Sequence, residues 1–264
     1  MIILVRGAGD IASAVIVRLF KAGFPVLALE TAKPTVIRRT VSLADAVYEN
    51  EAVVEGVRAV LSKSVKEALE LMKDHVVPVL VDEDMACLDA LKPSVIVDAI
   101  MAKRNTGLKK GMAELTIALG PGFTAGVDAD YVIETKRGHN LGRIIENGRA
   151  EENTNIPGSI EGFTFERVIH SPADGVNVNL KKIGDIVKKG DVIMTVGQRE
   201  VKSKLDGMLR GLIRDKSTLY EGEKIADVDP RGEKAEYLTI SDKARCISGS
   251  VLELVCAFSL REIK

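Results

Sequence analysis

The hydrophobic pattern at the start of the chain changes period twice. Residues 1–5 are uniformly apolar, as expected for a strand buried on both faces. Apolar groups then recur at Ile11, Val15, Leu19 and Phe20, a helical spacing that stops at Gly23. Residues 24–29 form a second apolar run, closed by Glu30. Between strand and helix stands Gly7-Ala8-Gly9-Asp10-Ile11-Ala12. A dinucleotide needs this order. Gly7 permits the tight turn, Gly9 lets backbone approach a pyrophosphate, and Ala12 lets the helix pack near the sheet. The helix N-terminus turns free N–H groups and a positive dipole end toward the phosphates. Glu30 stands where an acid meets a ribose 2′-hydroxyl, which favours NAD over NADP. The same turn serves another phosphorylated ligand, or packing alone.

Further along, 46–48 and 53–60 read as strand-like, and 65–72 as a helix with Val65, Leu69 and Met72 on one face. The apolar runs 76–81 and 95–97 each end in an acid, Asp82 and Asp98. Each acid either faces a crevice beyond the strand ends or caps a turn. The pair Arg38-Arg39 either clamps an anion or is solvated. Residues 116–119 and 131–134 read as strands, and 120–126 (Gly-Pro-Gly-Phe-Thr-Ala-Gly) as a loop whose amides can face an anion. His139 follows, between Gly138 and Gly142 and between Arg137 and Arg143. It suits acid–base work, an anion contact or a structural hydrogen bond. No ligand-spaced acid, His or Cys accompanies it, so no metal site is expected. His75 and His170 lack such a setting and read as structural.

The C-terminal half repeats itself at an offset of 32 residues. Ser171, Asp174, Gly175, Gly190 and Ile193 return as Ser203, Asp206, Gly207, Gly222 and Ile225. Five apolar positions track at the same offset, Ile169 with Val201 and Val187 with Leu219 among them. Two short β units related this way predict a pseudo-twofold β structure. The string Ser-Pro-Ala-Asp-Gly at 171–175 resembles the biotinyl/lipoyl barrel-sandwich fold. The hairpin at 197–200 lacks that family's modified lysine pattern, so no carrier role is expected. Residues 153–159 read as a connector. Ile247, Val251, Leu254, Val255 and Phe258 make the stripe of a terminal helix.

Composition narrows the classes. The 264 residues are 46% hydrophobic and 28% charged, with formal net charge −1. No global basic field exists to hold nucleic acid or an anionic membrane. Cys87, Cys246 and Cys256 form neither a disulfide framework nor a CxxC motif. Cys256 reads as core, and Cys246, beside Arg245, as the better thiolate candidate. No apolar run reaches a membrane span, and no secretory signal is evident. A cytoplasmic setting is expected.

Five motifs occur here in the order of the YqeB-type accessory proteins: Val-Arg-Gly-Ala-Gly-Asp-Ile-Ala at 5–12, Arg-Arg-Thr-Val at 38–41, Leu-Gly-Pro-Gly-Phe-Thr-Ala-Gly at 119–126, Arg-Gly-His-x-Leu-Gly-Arg at 137–143, and Ser-Pro-Ala-Asp-Gly at 171–175. The chain resembles that family from about residue 2 to 258. One departure is Asn155, where the family has glycine. The resemblance implies a role in maturing a selenium-dependent molybdenum hydroxylase of the xanthine dehydrogenase or purine hydroxylase type. The N-terminal domain is similar to those of xanthine dehydrogenase maturation factors. It implies as ligand either NAD or a molybdopterin dinucleotide, since both carry a pyrophosphate.

The combined expectation is an α/β chain. A Rossmann-like doubly wound domain (1–160) is followed by a small barrel-sandwich hybrid (161–232) and a C-terminal helical segment (233–264). Candidate cofactor-binding residues are Gly7, Gly9, Asp10, Ala12, Glu30, Arg38, Arg39, Gly120, Gly122, Thr124 and Arg137. His139 and Arg143 are the candidate catalytic residues. An NAD-dependent oxidoreductase and a non-catalytic docking scaffold are the alternatives, and self-association is left open.

Overall fold

The structure, a computed structural model, describes residues 1–154 and 156–262, so Asn155 lies outside the described residues. The chain divides into two compact units. Unit 1 comprises Met1–Pro34, Val41–Asn153 and the chain from Ile240 on; unit 2 comprises Thr35–Thr40 and Thr154–Thr239.

Unit 1 begins as its hydrophobic pattern dictates. Strand β1 (Ile3–Arg6) leads through the glycine turn into α1 (Asp10–Lys21) and on to β2 (Val26–Glu30). Gly9 caps α1, Asp10 occupies the first turn, and Arg18 and Lys21 the last, all matched to the helix dipole. After a helical turn α2 (Ala46–Glu49) come β3 (Glu51–Val54), β4 (Val57–Ser62), α3 (Val65–Lys73) and β5 (Val77–Val81). Ser64 caps α3 by accepting the Glu67 amide at 3.2 Å. Then follow α4 (Leu88–Leu91), β6 (Val95–Asp98), β7 (Leu115–Leu119), β8 (Thr124–Ala125), β9 (Tyr131–Ile133), β10 (Ile144–Ile145) and β11 (Gly148–Arg149). Nine strands form one sheet in the order β10-β9-β7-β6-β1-β2-β5-β4-β3, while β8 and β11 pair separately.

Pairing is parallel from β9 through β4 and antiparallel at both edges, β9 with β10 and β3 with β4. Strands β1, β6 and β7 are buried along their whole lengths, which is why they read as unbroken apolar runs.

Unit 2 makes the repeat visible. Its strands are β12 (Val168–His170), β13 (Gly175–Asn179), β14 (Ile186–Val187), β15 (Val192–Val196), β16 (Arg199–Lys202), β17 (Gly207–Leu212), β18 (Thr218–Leu219) and β19 (Lys224–Asp229). They form two antiparallel sheets, β12-β19-β17-β14 and β16-β15-β13-β18. An offset of 32 residues converts each sheet order into the other, strand for strand. Side-chain bonds repeat as well. Asp174 accepts the Glu221 amide and Asp206 the Lys189 amide, both at 2.8 Å. Ser171 and Ser203 each donate to a carbonyl two residues on, at 2.7 Å. One core fills the unit, with both members of the pairs Ile169/Val201, Val187/Leu219 and Ile193/Ile225 in it.

The expected fold is therefore corrected. A doubly wound Rossmann-like domain needs helical crossovers throughout, and this sheet does not have them. Residues 99–114 join β6 to the parallel β7 with no helix, and each edge is an antiparallel pair. The run 53–60 breaks at Glu55-Gly56, both at positive φ (46° and 82°), into the β3–β4 hairpin. Residues 46–48 are helical rather than extended. The barrel-sandwich hybrid gives way to two distinct four-stranded antiparallel sheets, in a unit that also takes in the Thr35–Thr40 segment. The terminal helix α5 (Asp242–Glu262) packs on α1 with Ile247, Val251 and Val255 fully buried. This explains why α1 is buried on most of its surface, with the sheet on one side and α5 on another. Among the described residues no helix is long and apolar enough to cross a membrane.

Candidate functional site at the carboxyl edge of the sheet

Strands β1, β2, β6, β7 and β9 run parallel, so their carboxyl ends share one edge. The chain reaches β2 on one side of β1 and β6 on the other, which makes a topological switch point there. In open sheets of parallel strands, ligands collect in the crevice at such points.

The glycine turn is held there by named bonds. Gly7 has φ +92°, and an added Cβ would lie 3.3 Å from the Ala99 backbone, so glycine is required. The Gly7 amide donates to Leu29 O at 2.7 Å. The Ala8 carbonyl accepts from Ser13 Oγ, Ser42 Oγ and the Ala44 amide, each at 2.9 Å. Ala12 is buried under the helix. Asp10 stays in the first turn, its Oδ1 accepting the Ile11 amide at 2.9 Å.

Glu30 ends β2 and accepts the Ala8 and Thr31 amides, each at 2.8 Å. Burial pushes its carboxyl up, against those two amides, which favour the charged form. Each oxygen holds one amide and keeps lone-pair capacity for a hydroxyl. Beneath the turn, Arg6 and Asp98 form a buried ion pair, Nη1 to Oδ2 2.5 Å. Arg6 Nη2 also donates to Thr106 O at 3.2 Å.

The 120–126 loop does less than its composition suggested. The amides of Gly120, Thr124 and Gly126 are already donated to Ile133 O, Asp128 Oδ2 and Ala129 O, at 2.9, 2.7 and 2.7 Å. Gly122 has φ +104°, and a Cβ there would meet the Arg104 amide nitrogen at 2.5 Å. Gly122 serves close backbone passage. Thr124 Oγ1 accepts from Arg149 Nε at 2.8 Å.

Arg137 forks onto Asp242 of α5 at 2.6 and 2.9 Å. His139 and Arg143 lie exposed on the turn between β9 and β10. That turn is clasped by α5: Cys246 Sγ donates to Leu141 O at 3.2 Å and Ser250 Oγ to Gly142 O at 2.5 Å. Glu134 is buried and accepts the Lys136 and Glu151 amides, each at 2.7 Å. Arg38 and Arg39 belong to unit 2.

Sequence reasoning missed Lys243. It is half-buried, and burial pulls its ammonium down, as does the charge of Arg137. Asp10, Glu134 and Asp242 act on it in the opposite sense. Lys243 therefore stands in the fields of both the α1 N-terminus and the strand-end turn that bears Arg137. Its helical neighbours Asp242 and Ala244 carry no pattern that marks it, so only the fold reveals it. The N-terminus of α1 and the ammonium of Lys243 suit a pyrophosphate, and Glu30 suits a ribose hydroxyl. Among the described residues no cluster of His, Cys, Asp or Glu could hold a metal ion.

No family model matches the chain. Solved structures share it only loosely. The product-bound ectoine utilization protein EutE (DoeB) of Ruegeria pomeroyi is 11% identical, covering 86% of this chain and 84% of its own, with a TM-score of 0.27. An aspartoacylase family protein of Mesorhizobium loti is 12% identical over 86% of this chain and 84% of its own, with a TM-score of 0.29. The uncharacterized protein YqeB of Escherichia coli (strain K12) is 52% identical over 263 residues, all of this chain and 49% of YqeB. The chain thus spans about half the length of that relative. Identity at this level from one end of the chain to the other makes it a member of the YqeB family.

Proposed function

We propose that this protein acts in the maturation of a selenium-dependent molybdenum hydroxylase, holding a nucleotide-bearing cofactor at the carboxyl edge of the nine-stranded sheet. The observation that carries the reading is Glu30 seated on the glycine turn that opens α1, its carboxylate accepting the Ala8 amide, with Lys243 within the fields of Asp10 and Arg137. A pyrophosphate takes the α1 N-terminus and the ammonium of Lys243. A ribose hydroxyl takes Glu30. NAD and a molybdopterin dinucleotide make the same demand on these groups. His139 and Arg143, on the exposed turn, are the groups assigned to the reactive or anionic end.

A docking scaffold is the second reading. It is favoured by the internal use of the Gly120, Thr124 and Gly126 amides. Calorimetric titration of the whole chain with NADH and with ADP-ribose separates the two. Binding that is lost in Gly9→Val and weakened in Lys243→Ala supports the cofactor site. No heat and no change in melting temperature with either compound removes it, because a ligand of the native state must raise stability.

A further inference from the structure

We propose that unit 2 carries a phosphate-binding site centred on Arg38, independent of the cofactor reading above. The Thr35–Thr40 segment is fixed against β17: the Leu212 amide donates to Ile37 O at 2.8 Å and Arg39 Nε donates to Leu212 O at 2.9 Å. A Cβ on Gly211 would lie 3.3 Å from the Ile37 carbonyl oxygen, so glycine is what lets the segment lie so close. Arg38, between these anchors, is 8% exposed. Its Nε and Nη2 are buried and meet no hydrogen-bond acceptor. Those two N–H groups lie on one edge of the guanidinium, the fork that receives two oxygens of a phosphate or carboxylate.

The surroundings favour an anion. Arg210 on β17 is near enough for its charge and that of Arg38 to oppose each other. The neighbouring acids are already engaged. Asp227 pairs with Arg167 at 2.9 Å, and Asp229 with Arg231 at 2.6 Å and Arg210 at 3.7 Å. Arg167 Nε is likewise buried without an acceptor. Four guanidiniums thus face two carboxylates in this cluster. A buried charged donor without an acceptor is costly, and an arriving oxyanion removes that cost. Charge decides which oxyanion. A phosphate group, at about −1.5 to −2, answers a cluster of guanidiniums more fully than a carboxylate does.

The test uses the full chain in phosphate-free buffer. Inorganic phosphate is added against sodium chloride of equal ionic strength, with melting temperature and calorimetry as readouts. Phosphate raises the melting temperature of the native chain beyond the chloride control. Arg38→Met weakens binding at least tenfold and, without phosphate, melts no lower than the native chain. Arg38→Lys, which keeps the charge but not the fork, also binds more weakly. A parallel titration with AMP separates the sources: tighter binding than phosphate points to a phosphorylated metabolite, equal binding to the free ion. The proposal is overturned if phosphate acts no differently from chloride or if both Arg38 variants bind as the native chain does. It is equally overturned if Arg38→Met melts well below the native chain in phosphate-free buffer, for Arg38 would then be a structural partner.

Discussion

Replacing Asp98 with alanine leaves a buried charge alone. Arg6 and Asp98 are 3% and 1% exposed and 2.5 Å apart. Removing one partner of such a pair costs about 3–5 kcal/mol, because the survivor stays buried without compensation. Arg6 Nη2 keeps Thr106 O at 3.2 Å and Glu83 O at 3.4 Å, while Nη1 loses its acceptor. The expected loss therefore sits at the lower end, about 3 kcal/mol. That is a large share of the roughly 5–15 kcal/mol that holds a domain together. Urea unfolding followed by circular dichroism at the helical wavelength reads it. The helices longer than one turn, α1, α3 and α5, all belong to unit 1, so the signal reports that unit. With a slope of about 2 kcal/mol per molar, the midpoint falls by about 1.5 M. Asp98→Asn keeps an acceptor and falls less. Arg6→Met with Asp98→Leu removes both charges and recovers most of the loss. A drop below about 1 kcal/mol for Asp98→Ala, or a double variant no more stable than the single one, would mean that Arg6 is not left as an uncompensated buried charge.

Other outcomes follow from the same geometry. Burial and then the Asp82 carboxylate push the Cys87 thiol up to about 12, so at pH 8 iodoacetamide labels exposed Cys246 while Cys87 resists; peptide mapping that finds equal labelling contradicts this. Gly207→Ala sets a Cβ 2.3 Å from the Asp229 carbonyl oxygen, a backbone atom, and destabilises unit 2 by about 3 kcal/mol. A denaturation midpoint for unit 2 equal to the parent's would refute that clash. Arg137→Ala breaks an exposed pair and costs under about 1 kcal/mol of stability. The same change weakens NADH binding, so a variant with unchanged affinity excludes Arg137 from the site.

Local pattern reaches only part of this structure. The strand–turn–helix–strand start is legible because its periods differ and a glycine turn separates them. The repeat is legible because glycines and core positions recur at one offset, and each occupies the same place in its sheet. The mixed sheet is not legible, since strand order and the antiparallel edges depend on which runs meet in space. Arg38 shows the limit most sharply. Its neighbours in sequence suggest an anion clamp, but the bonds that fix its segment run to Leu212, far along the chain. Lys243 is unmarked for a related reason: the acids whose charges act on it, Asp10 and Glu134, are far away in the chain.

The proposed role in maturing a selenium-dependent molybdenum hydroxylase makes the molybdenum and selenium content of that enzyme depend on this chain. The hydroxylase is purified from cells that lack this chain, from cells that carry it, and from cells that carry Gly9→Val. Molybdenum and selenium are then measured per enzyme. Selenium, with or without molybdenum, is expected to be lost when the chain is absent, and lost likewise with Gly9→Val. Full content of both elements in cells lacking the chain would contradict that role.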